Sequence, residues 1–195
     1  MEDEARDPQE LPPSSGRRLS LRGLAEADAP GLFDAISSSR AHLRKRLSWI
    51  DSFGSIDDAR EFISRSRGEA AAGSGAVFGI FKVRTGQLLG VAALQEKSPL
   101  EGKAEFSCWI KSQDVDRGYA TEAGRLVERF AFAQAGLERL YARIDPRNRA
   151  ARRLLQKLGF SYEGCLRREK KLNGRRIDQE CWGMLKSEWR GLARV

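Results

Sequence analysis

Residues 114–123 read DVDRGYATEA, and this short stretch decides how the rest of the chain is interpreted. It follows the alternating run KAEFSCWIK at 103–111 and precedes apolar residues at helical spacing, so it predicts a turn from a strand into a helix. The amides at a helix N-terminus lack intrahelical partners and attract anions. Gly118 and Ala120 keep this backbone accessible, and Arg117 adds a permanently charged donor. The turn therefore predicts a phosphate site, although one glycine at such a junction is also typical of an ordinary turn.

The chain before this turn predicts a strand, two or three helices and a hairpin. Residues 17–24 alternate as in a short strand, and residues 25–47 have a helical spacing that the serines at 37–39 should interrupt. Ser55, with an acidic residue three positions later, is a capping pattern that begins another helix. Two β-rich runs around residues 85–86 then predict an antiparallel hairpin before the strand at 103–111.

The chain after the turn predicts two helices and three strands. The first helix should end at Gly136, a strand occupies 137–145, and the second helix should end at Gly159. The dipeptide at 173–174, Asn-Gly, is a strong turn signal between the last two strands. This order predicts an α/β (α+β) domain with a mixed sheet of about seven strands and helices on both faces.

The bulk composition is typical of one soluble globular domain. The chain has 195 residues, of which 41% are hydrophobic and 32% charged, enough to bury a core. Residues 1–16 are acidic and contain proline, which predicts a disordered tail ahead of a single domain at 17–195. No apolar run approaches the roughly 20 residues of a membrane helix, and the N-terminus lacks the apolar core of a secretory signal. Three scattered cysteines without a CxxC pattern predict a cytoplasmic protein with neither disulfides nor a metal site.

The formal net charge of +8 is unevenly distributed along the chain. Residues 143–176 contain twelve arginines or lysines and three acids. Such a segment suits phosphates, an acidic protein partner or nucleic acid, and a solvated basic face without a specific partner fits equally well. RNA recognition would use aromatic residues for base stacking, and this segment offers only Phe160 and Tyr162. The sequence therefore does not favour nucleic acid as the partner.

Three pieces of sequence carry a resemblance to a known family. They are RGYATEA at 117–123, DPRNRAARRLLQKLGF at 145–160, and EGCLR at 163–167 followed by LNG and Asp178. In this order and spacing they resemble the GNAT acyltransferase superfamily, and within it the branch that acetylates the N-termini of ribosomal proteins at serine or alanine. The resemblance extends over about residues 18–189 and implies the GNAT fold, with a mostly antiparallel twisted sheet. It also implies acetyl-CoA as cosubstrate and no metal.

The resemblance implies that the turn binds the pyrophosphate of acetyl-CoA through backbone amides. The family pattern Gln/Arg-x-x-Gly-x-Gly/Ala falls on six consecutive residues, and the next residue lies against the same site. These seven residues are Val115, Asp116, Arg117, Gly118, Tyr119, Ala120 and Thr121. Gly118 and Ala120 fit the pattern, whereas Val115 replaces a polar residue and Asp116 replaces a glycine. The Asp116 carboxylate must then point away from the phosphates.

The resemblance also implies where the pantetheine arm of the cofactor lies. The strand at 104–111 corresponds to the family's splayed strand, in which main-chain groups of Trp109, Ile110 and Lys111 would pair with that arm. Asn148 matches an asparagine that contacts the same arm. It is equally well placed to cap the helix that follows it.

Acyl transfer to an amine needs a neutral nucleophile and a leaving thiolate. An α-amine has a pKa of about 8, so an N-terminal acceptor is partly neutral near pH 7 and needs little help from a base. Glu105, on the strand expected to border the acetyl group, is the candidate catalytic base, and an ion pair with an arginine is the alternative. The resemblance implies a serine as general acid where this chain has Ala151. Its loss should slow the reaction by about 10²-fold at most.

Three functions remain open at this point. The first is acetyl-CoA-dependent acetylation of the N-terminal α-amine of a protein, a ribosomal protein above all. The second is acetylation of a small amine such as a polyamine or an aminoglycoside-like antibiotic, with Glu169, Asp178 and Glu180 as candidates to hold the ammonium group. The third is a catalytically weak module that binds CoA or RNA. The sequence predicts no membrane partner and leaves a homodimer open.

Overall fold

One mixed sheet organises the computed structural model, which describes residues 11, 13–98 and 100–191. In this described part the eight strands are β1 Ser14–Ser15, β2 Leu19–Gly23, β3 Ala76–Lys82, β4 Leu88–Ser98, β5 Lys103–Ile110, β6 Arg139–Ile144, β7 Ser161–Leu172 and β8 Arg175–Leu185. They lie in the order β1-β2-β3-β4-β5-β6-β8-β7. Neighbouring strands are antiparallel except β5 and β6, which are parallel. The predicted mixed sheet is confirmed.

Helices cover both faces of the sheet, as predicted. The α-helices of the described residues are α1 Ala29–Leu43, α2 Ile56–Ala71, α3 Tyr119–Arg129 and α4 Arg149–Leu158. On one face, α1 and α2 bury apolar residues such as Leu32 and Ile63 against Val91 of β4. On the other face, α3 and α4 pack against Leu94 and Leu140. Strands β3 and β4 are therefore buried on both faces along most of their length.

Strand β1 lies inside the segment that was predicted to be a disordered tail. Ser14 and Ser15 pair with Leu21 and Ser20 of β2, and buried Ser14 accepts a hydrogen bond from Arg129 at 2.6 Å. Arg129 is remote in sequence, whereas the β2 partners are close, and the acidic, proline-containing composition of the segment does not reveal either contact. The extra strand raises the number from the predicted seven or so to eight. The rest of the predicted tail, residues 1–10 and 12, lies outside the described residues.

Helix α1 continues through Ser37–Ser39, so the predicted interruption is wrong. The Ser38 hydroxyl donates to the Asp34 carbonyl at 2.7 Å, within the helix itself. The buried Ser39 hydroxyl accepts from the Ser112 amide at 2.9 Å, outside the helix. Serine destabilises a helix when its hydroxyl competes for the local backbone, and here both hydroxyls bond without displacing a helical hydrogen bond.

Buried Glu128 on α3 predicts a pH-dependent stability. Its Oε1 has no hydrogen-bond partner within the described part of the chain, and burial raises its pKa from 4.5 to about 8 against the opposing charge of Arg125. The folded state therefore holds a proton that the unfolded state releases, and stability present below pH 4.5 is lost as the pH rises towards 8. The midpoint of thermal unfolding, measured across this range, should fall with pH. Glu128→Gln should flatten the fall.

The matched control is Glu61→Gln, which changes an exposed carboxylate on α2. This variant should retain the pH dependence of the unsubstituted chain. Equal slopes in all three proteins would show that Glu128 does not carry the effect.

Candidate active site

Strands β5 and β6 pair for only three residues and then separate. Their register runs from Lys103 opposite Arg139 to Glu105 opposite Tyr141. Beyond this point β5 pairs with β4 alone, and β6 pairs with β8 alone through Ile144. One edge of each strand is thus left without a strand partner. A gap opens between them from Glu105 towards the strand ends, and the strand expected to be splayed borders it.

Alternate residues of β5 turn their main-chain groups into this gap. The Lys111 amide donates to the Leu89 carbonyl at 2.7 Å, which fixes the phase of the ladder with β4. Hydrogen-bonded and non-hydrogen-bonded pairs alternate along antiparallel strands, so the groups of Ile110 and Cys108 face away from β4. Of the three predicted residues, this register favours Ile110 over Trp109 and Lys111. It also adds Cys108, for which the sequence predicted no role.

The predicted turn connects β5 to α3 at the open end of the gap. Gly118 precedes α3 with φ of 78°, and Asp116 has φ of 59°, so both are left-handed. This conformation favours glycine, which explains why a glycine suits position 116. In the described structure no acceptor binds the amides from Arg117 to Thr121. The turn therefore presents free donors at the positive end of the α3 dipole.

The two departures from the family pattern are both exposed. Val115 has 37% of its surface accessible, and the Asp116 carboxylate lies on the surface, where water can hydrate it. The carboxylate that organises the turn is instead buried Asp114, which lies 3.2 Å from Lys82 Nζ and 3.7 Å from Arg117 Nη1. Because Arg117 is drawn towards Asp114, the donors that the turn leaves free are mainly backbone amides.

Glu122 connects the first turn of α3 to β2, a role that was not predicted from the sequence. This carboxylate is buried and accepts from the Arg18 amide at 2.9 Å, Arg18 Nε at 2.8 Å and the Leu19 amide at 3.2 Å. Arg18 also donates to the Arg117 carbonyl at 3.0 Å and lies over the Tyr119 ring. These contacts hold the turn from a strand about a hundred residues away in sequence. A glutamate within the apolar face of a helix is the sequence feature that could have predicted this buried, hydrogen-bonded role.

Glu105 lies where the gap begins and is paired with an arginine, the alternative that its sequence left open. Arg143 on β6 contacts both Glu105 oxygens, at 2.6 and 3.2 Å, and also binds Glu96 at 2.6 Å. The hydrogen bond to Glu105 is the main cause that raises the pKa of Arg143. Tyr141 donates to Glu96 at 2.6 Å and holds the pKa of Glu96 below its usual value. Two carboxylates therefore share one guanidinium, and the charge of Lys103 also acts on Glu96.

Asn148 caps α4 at the same open end of the gap. Its Oδ1 accepts from the Ala151 amide at 3.2 Å, while no protein partner binds Nδ2 among the described residues. Capping is therefore present, and a donor remains available. Helices α3 and α4 pack closely at Gly124, where a Cβ atom would come within 2.6 Å of the Leu158 side chain. Their N-termini follow the parallel strands β5 and β6, so both face the opening.

The three acids proposed to hold a substrate ammonium group do not form one cluster through their contacts. Glu180 is buried and bonds Arg152 and the Trp182 ring nitrogen. Asp178 accepts from the Arg168 amide at 2.7 Å. Glu169 is exposed on β7. Two of the three therefore have structural roles in the β7–β8 hairpin.

Helix α1 spans the gap on the face that carries the Glu105 side chain. Glu105 and Trp109 share one face of β5, and Trp109 packs against the core beneath α1 and α2. Ser39 of α1 binds the chain just after β5, and Arg46 beyond α1 reaches Asp145, just after β6, at 3.2 Å. The end of α1 thus connects the two sides of the gap.

The described residues contain no group of three or more His, Cys, Asp or Glu placed to hold a metal ion. Nor does any helix among them have the length and apolar content to cross a membrane. The cysteines Cys108, Cys165 and Cys181 are free thiols. Burial raises the pKa of Cys108 to about 12, so this thiol stays protonated beside the gap.

Comparison with known proteins places these features in a family. A family profile described as Acetyltransferase (GNAT) domain matches residues 18–161. A Bacillus subtilis (strain 168) protein, "Putative ribosomal N-acetyltransferase YdaF", is 29% identical over 174 residues, covering 89% of this chain and 94% of that protein. Spermidine N(1)-acetyltransferase of Escherichia coli (strain K12) is 35% identical over 89 residues, 46% of this chain and 48% of that protein.

The solved structures show the same fold. RimL, a ribosomal L7/L12 alpha-N-protein acetyltransferase solved in complex with coenzyme A, superposes with a TM-score of 0.82 at 20% identity. The superposition covers 90% of this chain and 97% of RimL. The profile match spans the split sheet, the turn and the Asn148 cap described above. The chain therefore belongs to the GNAT acetyltransferase family.

Proposed function

We propose that this enzyme transfers an acetyl group from acetyl-CoA to the N-terminal α-amine of a protein, with a ribosomal protein as the favoured acceptor. One observation carries the proposal: the gap between β5 and β6 opens onto a turn whose amides, from Arg117 to Thr121, have no protein acceptor in the described structure. An elongated thioester that ends in a pyrophosphate fits this arrangement, because its anionic end would meet the free amides.

The chain's own residues would divide the binding of acetyl-CoA between them. The amides around Gly118 bind the pyrophosphate, and the exposed side chains of Val115 and Asp116 stay clear of it. Main-chain groups of Ile110 and Cys108, together with Nδ2 of Asn148, bind the amides of the pantetheine arm. This cosubstrate supplies the activated acetyl group.

Glu105, which lies where the gap begins, would receive a proton from the acceptor. Both of its carboxylate oxygens accept hydrogen bonds from Arg143, which fixes its orientation at the start of the gap. The amine loses a proton to Glu105, directly or through a water, and its nitrogen bonds to the acetyl carbon as the carbon–sulfur bond breaks. A thiol has a pKa of about 8.5, so the CoA sulfur can leave as a thiolate even though Ala151 has no proton to donate.

The choice of acceptor rests on two kinds of support. YdaF and RimL carry names that describe acetylation of ribosomal proteins, and both align over about nine-tenths of this chain. A small polyamine is the second candidate, because Glu96 and Glu105 place two carboxylates around the single guanidinium of Arg143. The similarity to a spermidine acetyltransferase, over less than half of the chain, agrees with this alternative.

A thiol-release assay with acetyl-CoA distinguishes these acceptors. Peptides with N-terminal serine or alanine should be turned over with a kcat/KM at least about tenfold above that of spermidine or an aminoglycoside, a difference of about 1.4 kcal/mol. The same peptides carrying an N-terminal acetyl group are the control and should release no thiol.

Turnover of polyamines alone would replace the proposed acceptor with the second candidate. Intact CoA binding without any thiol release would indicate a binding module instead.

A further inference from the structure

Five exposed cations lie at the tip of the β7–β8 hairpin and just beyond the end of α1. We call this set the cationic rim, and its members are Lys45, Arg168, Lys171, Arg175 and Arg176. Within the described part of the chain none of them forms an ion pair with a carboxylate, although Arg176 donates to two backbone carbonyls. Their positive charge is therefore not neutralised by the fold itself.

Two acids lie near the tip of the hairpin: exposed Glu169, next to Arg168, and Asp178, which accepts from the Arg168 amide at 2.7 Å. They are fewer than the five cations of the rim, and the nearby acids outside the rim are already engaged. Asp145 binds Arg46 and Arg147, and Glu180 binds Arg152. Within the hairpin, Lys171 lies directly opposite Arg176 in the strand register. Like charges at opposite positions destabilise a sheet, so stability alone does not account for this pair. A negative charge supplied from outside the chain would relieve the repulsion.

The rim borders the gap on the face of Glu105. Asn173 at the hairpin tip donates to the Arg44 carbonyl at 3.2 Å, which joins the tip to the end of α1 that spans the gap. The last β6–β8 pair is Ile144 with Glu180, so the tip of the β7–β8 hairpin extends past the end of β6. An acceptor that reaches Glu105 from this face therefore passes the rim.

The strand register gives the distance from Glu105 to the rim. Glu105 lies opposite Tyr141, and Tyr141 lies opposite Gly183 of β8. From Gly183 to Arg176 the strand rises about 3.3 Å per residue, roughly 23 Å in total. An extended peptide would cover this distance with about seven residues.

We propose that the cationic rim binds acidic side chains of the acceptor polypeptide, about six to nine residues after the acetylated amine. This inference rests on the proposed function, since it assumes a polypeptide acceptor. The exposed apolar residues Tyr162 and Leu166 precede the rim on β7, and arginine beside aromatic and apolar residues is typical of protein interfaces. Residues 167–176 contain no aromatic side chain on which a nucleotide base could stack.

Two peptides of about twelve residues test the rim. They share their first five residues, and positions six to nine are glutamates in one and lysines in the other. The acidic peptide should have a kcat/KM roughly tenfold higher in the thiol-release assay, mostly through KM, because the reacting end is the same in both. The difference should shrink in 0.5 M salt, since exposed charges are screened (about 3–10 Å Debye length between 1 and 0.1 M).

Charge reversal assigns the preference to the rim. The double variant Lys171→Glu with Arg176→Glu should abolish or invert the preference and leave turnover of a neutral peptide within about twofold. The matched control, Arg60→Glu with Arg65→Glu, makes the same change in net charge on exposed positions of α2 and should keep the preference. Fluorescence anisotropy with labelled, N-acetylated versions of the two peptides measures the same preference without turnover.

Equal affinity and turnover for the acidic and basic peptides would overturn the rim proposal and leave the proposed function intact. A preference that survives in the rim variant would do the same. Should neither peptide be acetylated while polyamines are, the proposed function fails and the anisotropy measurement still decides the rim. Binding of a short RNA duplex that is lost in the rim variant, with no effect on peptides, would assign the rim to nucleic acid instead.

Discussion

Replacing Gly118 by valine is expected to raise the dissociation constant of acetyl-CoA by at least about tenfold. Gly118 has φ of 78°, a conformation that a β-branched residue adopts only with strain, and its backbone stands at the free N-terminus of α3. A side chain there would hold an anion away from the amides. Loss of one hydrogen bond to a charged phosphate costs about 1.5–3 kcal/mol, or about 10- to 100-fold in affinity. Calorimetric titration with CoA measures the change.

Gly136→Val is the matched control for this change. Gly136 also has a positive φ, 66°, beyond the other end of the same helical segment, and a Cβ there would meet nothing within 4 Å. Both variants should lose stability by roughly 1–2 kcal/mol through backbone strain alone. Only the Gly118 variant should lose affinity for CoA. Unchanged affinity in both would remove the turn from the cofactor site.

Glu105→Gln is expected to lower kcat for an N-terminal peptide by about 100-fold near neutral pH. General bases contribute about 10²–10⁴-fold, and an α-amine with a pKa of about 8 needs the smaller contribution. The deficit should shrink as the pH rises towards about 9, because the amine then loses its proton without help. Initial rates at saturating peptide across pH 6–9 measure this trend.

Glu96→Gln provides the comparison within the same cluster. Glu96 binds the same Arg143 guanidinium but is 57% exposed, and the substitution leaves the contact between Arg143 and Glu105 in place. This exposed pair should change kcat by less than about threefold, because surface ion pairs contribute about 1 kcal/mol or less. An equal loss in both variants, independent of pH, would show that the cluster supports the sheet and does not transfer a proton.

Local chemistry accounts for the elements that the sequence predicted well. Asn173 and Gly174 both have positive φ, 47° and 78°, as the Asn-Gly signal of a tight hairpin requires. Gly159 ends α4 with φ of 95°, and Ser55 accepts from the Asp58 amide at the start of α2. Each of these signals depends on residues within about four positions of one another, so the sequence contains all the partners.

The features that the sequence did not predict involve contacts between residues far apart along the chain. The predicted break in α1 is wrong in part because the Ser39 hydroxyl binds the Ser112 amide, which lies 73 residues away. Strand β1 pairs locally with β2, but the acidic, proline-containing composition around it predicts disorder, and the Arg129 side chain that binds Ser14 lies 115 residues away. Glu122 received no role because its partner Arg18 lies 104 residues away. Spacing along the chain does not show which distant groups will meet.

The sequence by itself determined the order of the four α-helices and of every strand after β1, the turn at 114–123 and the family to which the chain belongs, because these depend on local patterns and motif spacing. Only the tertiary structure decided that β5 and β6 part after Glu105, since β4 and β8 each hold one strand and draw it to its own side. The same packing joined Arg143 to Glu105 and Glu96 across β5 and β6 and brought the hairpin tip to the end of α1. Strand pairing and ion pairs between distant segments depend on the folded arrangement, which the linear order of residues does not specify.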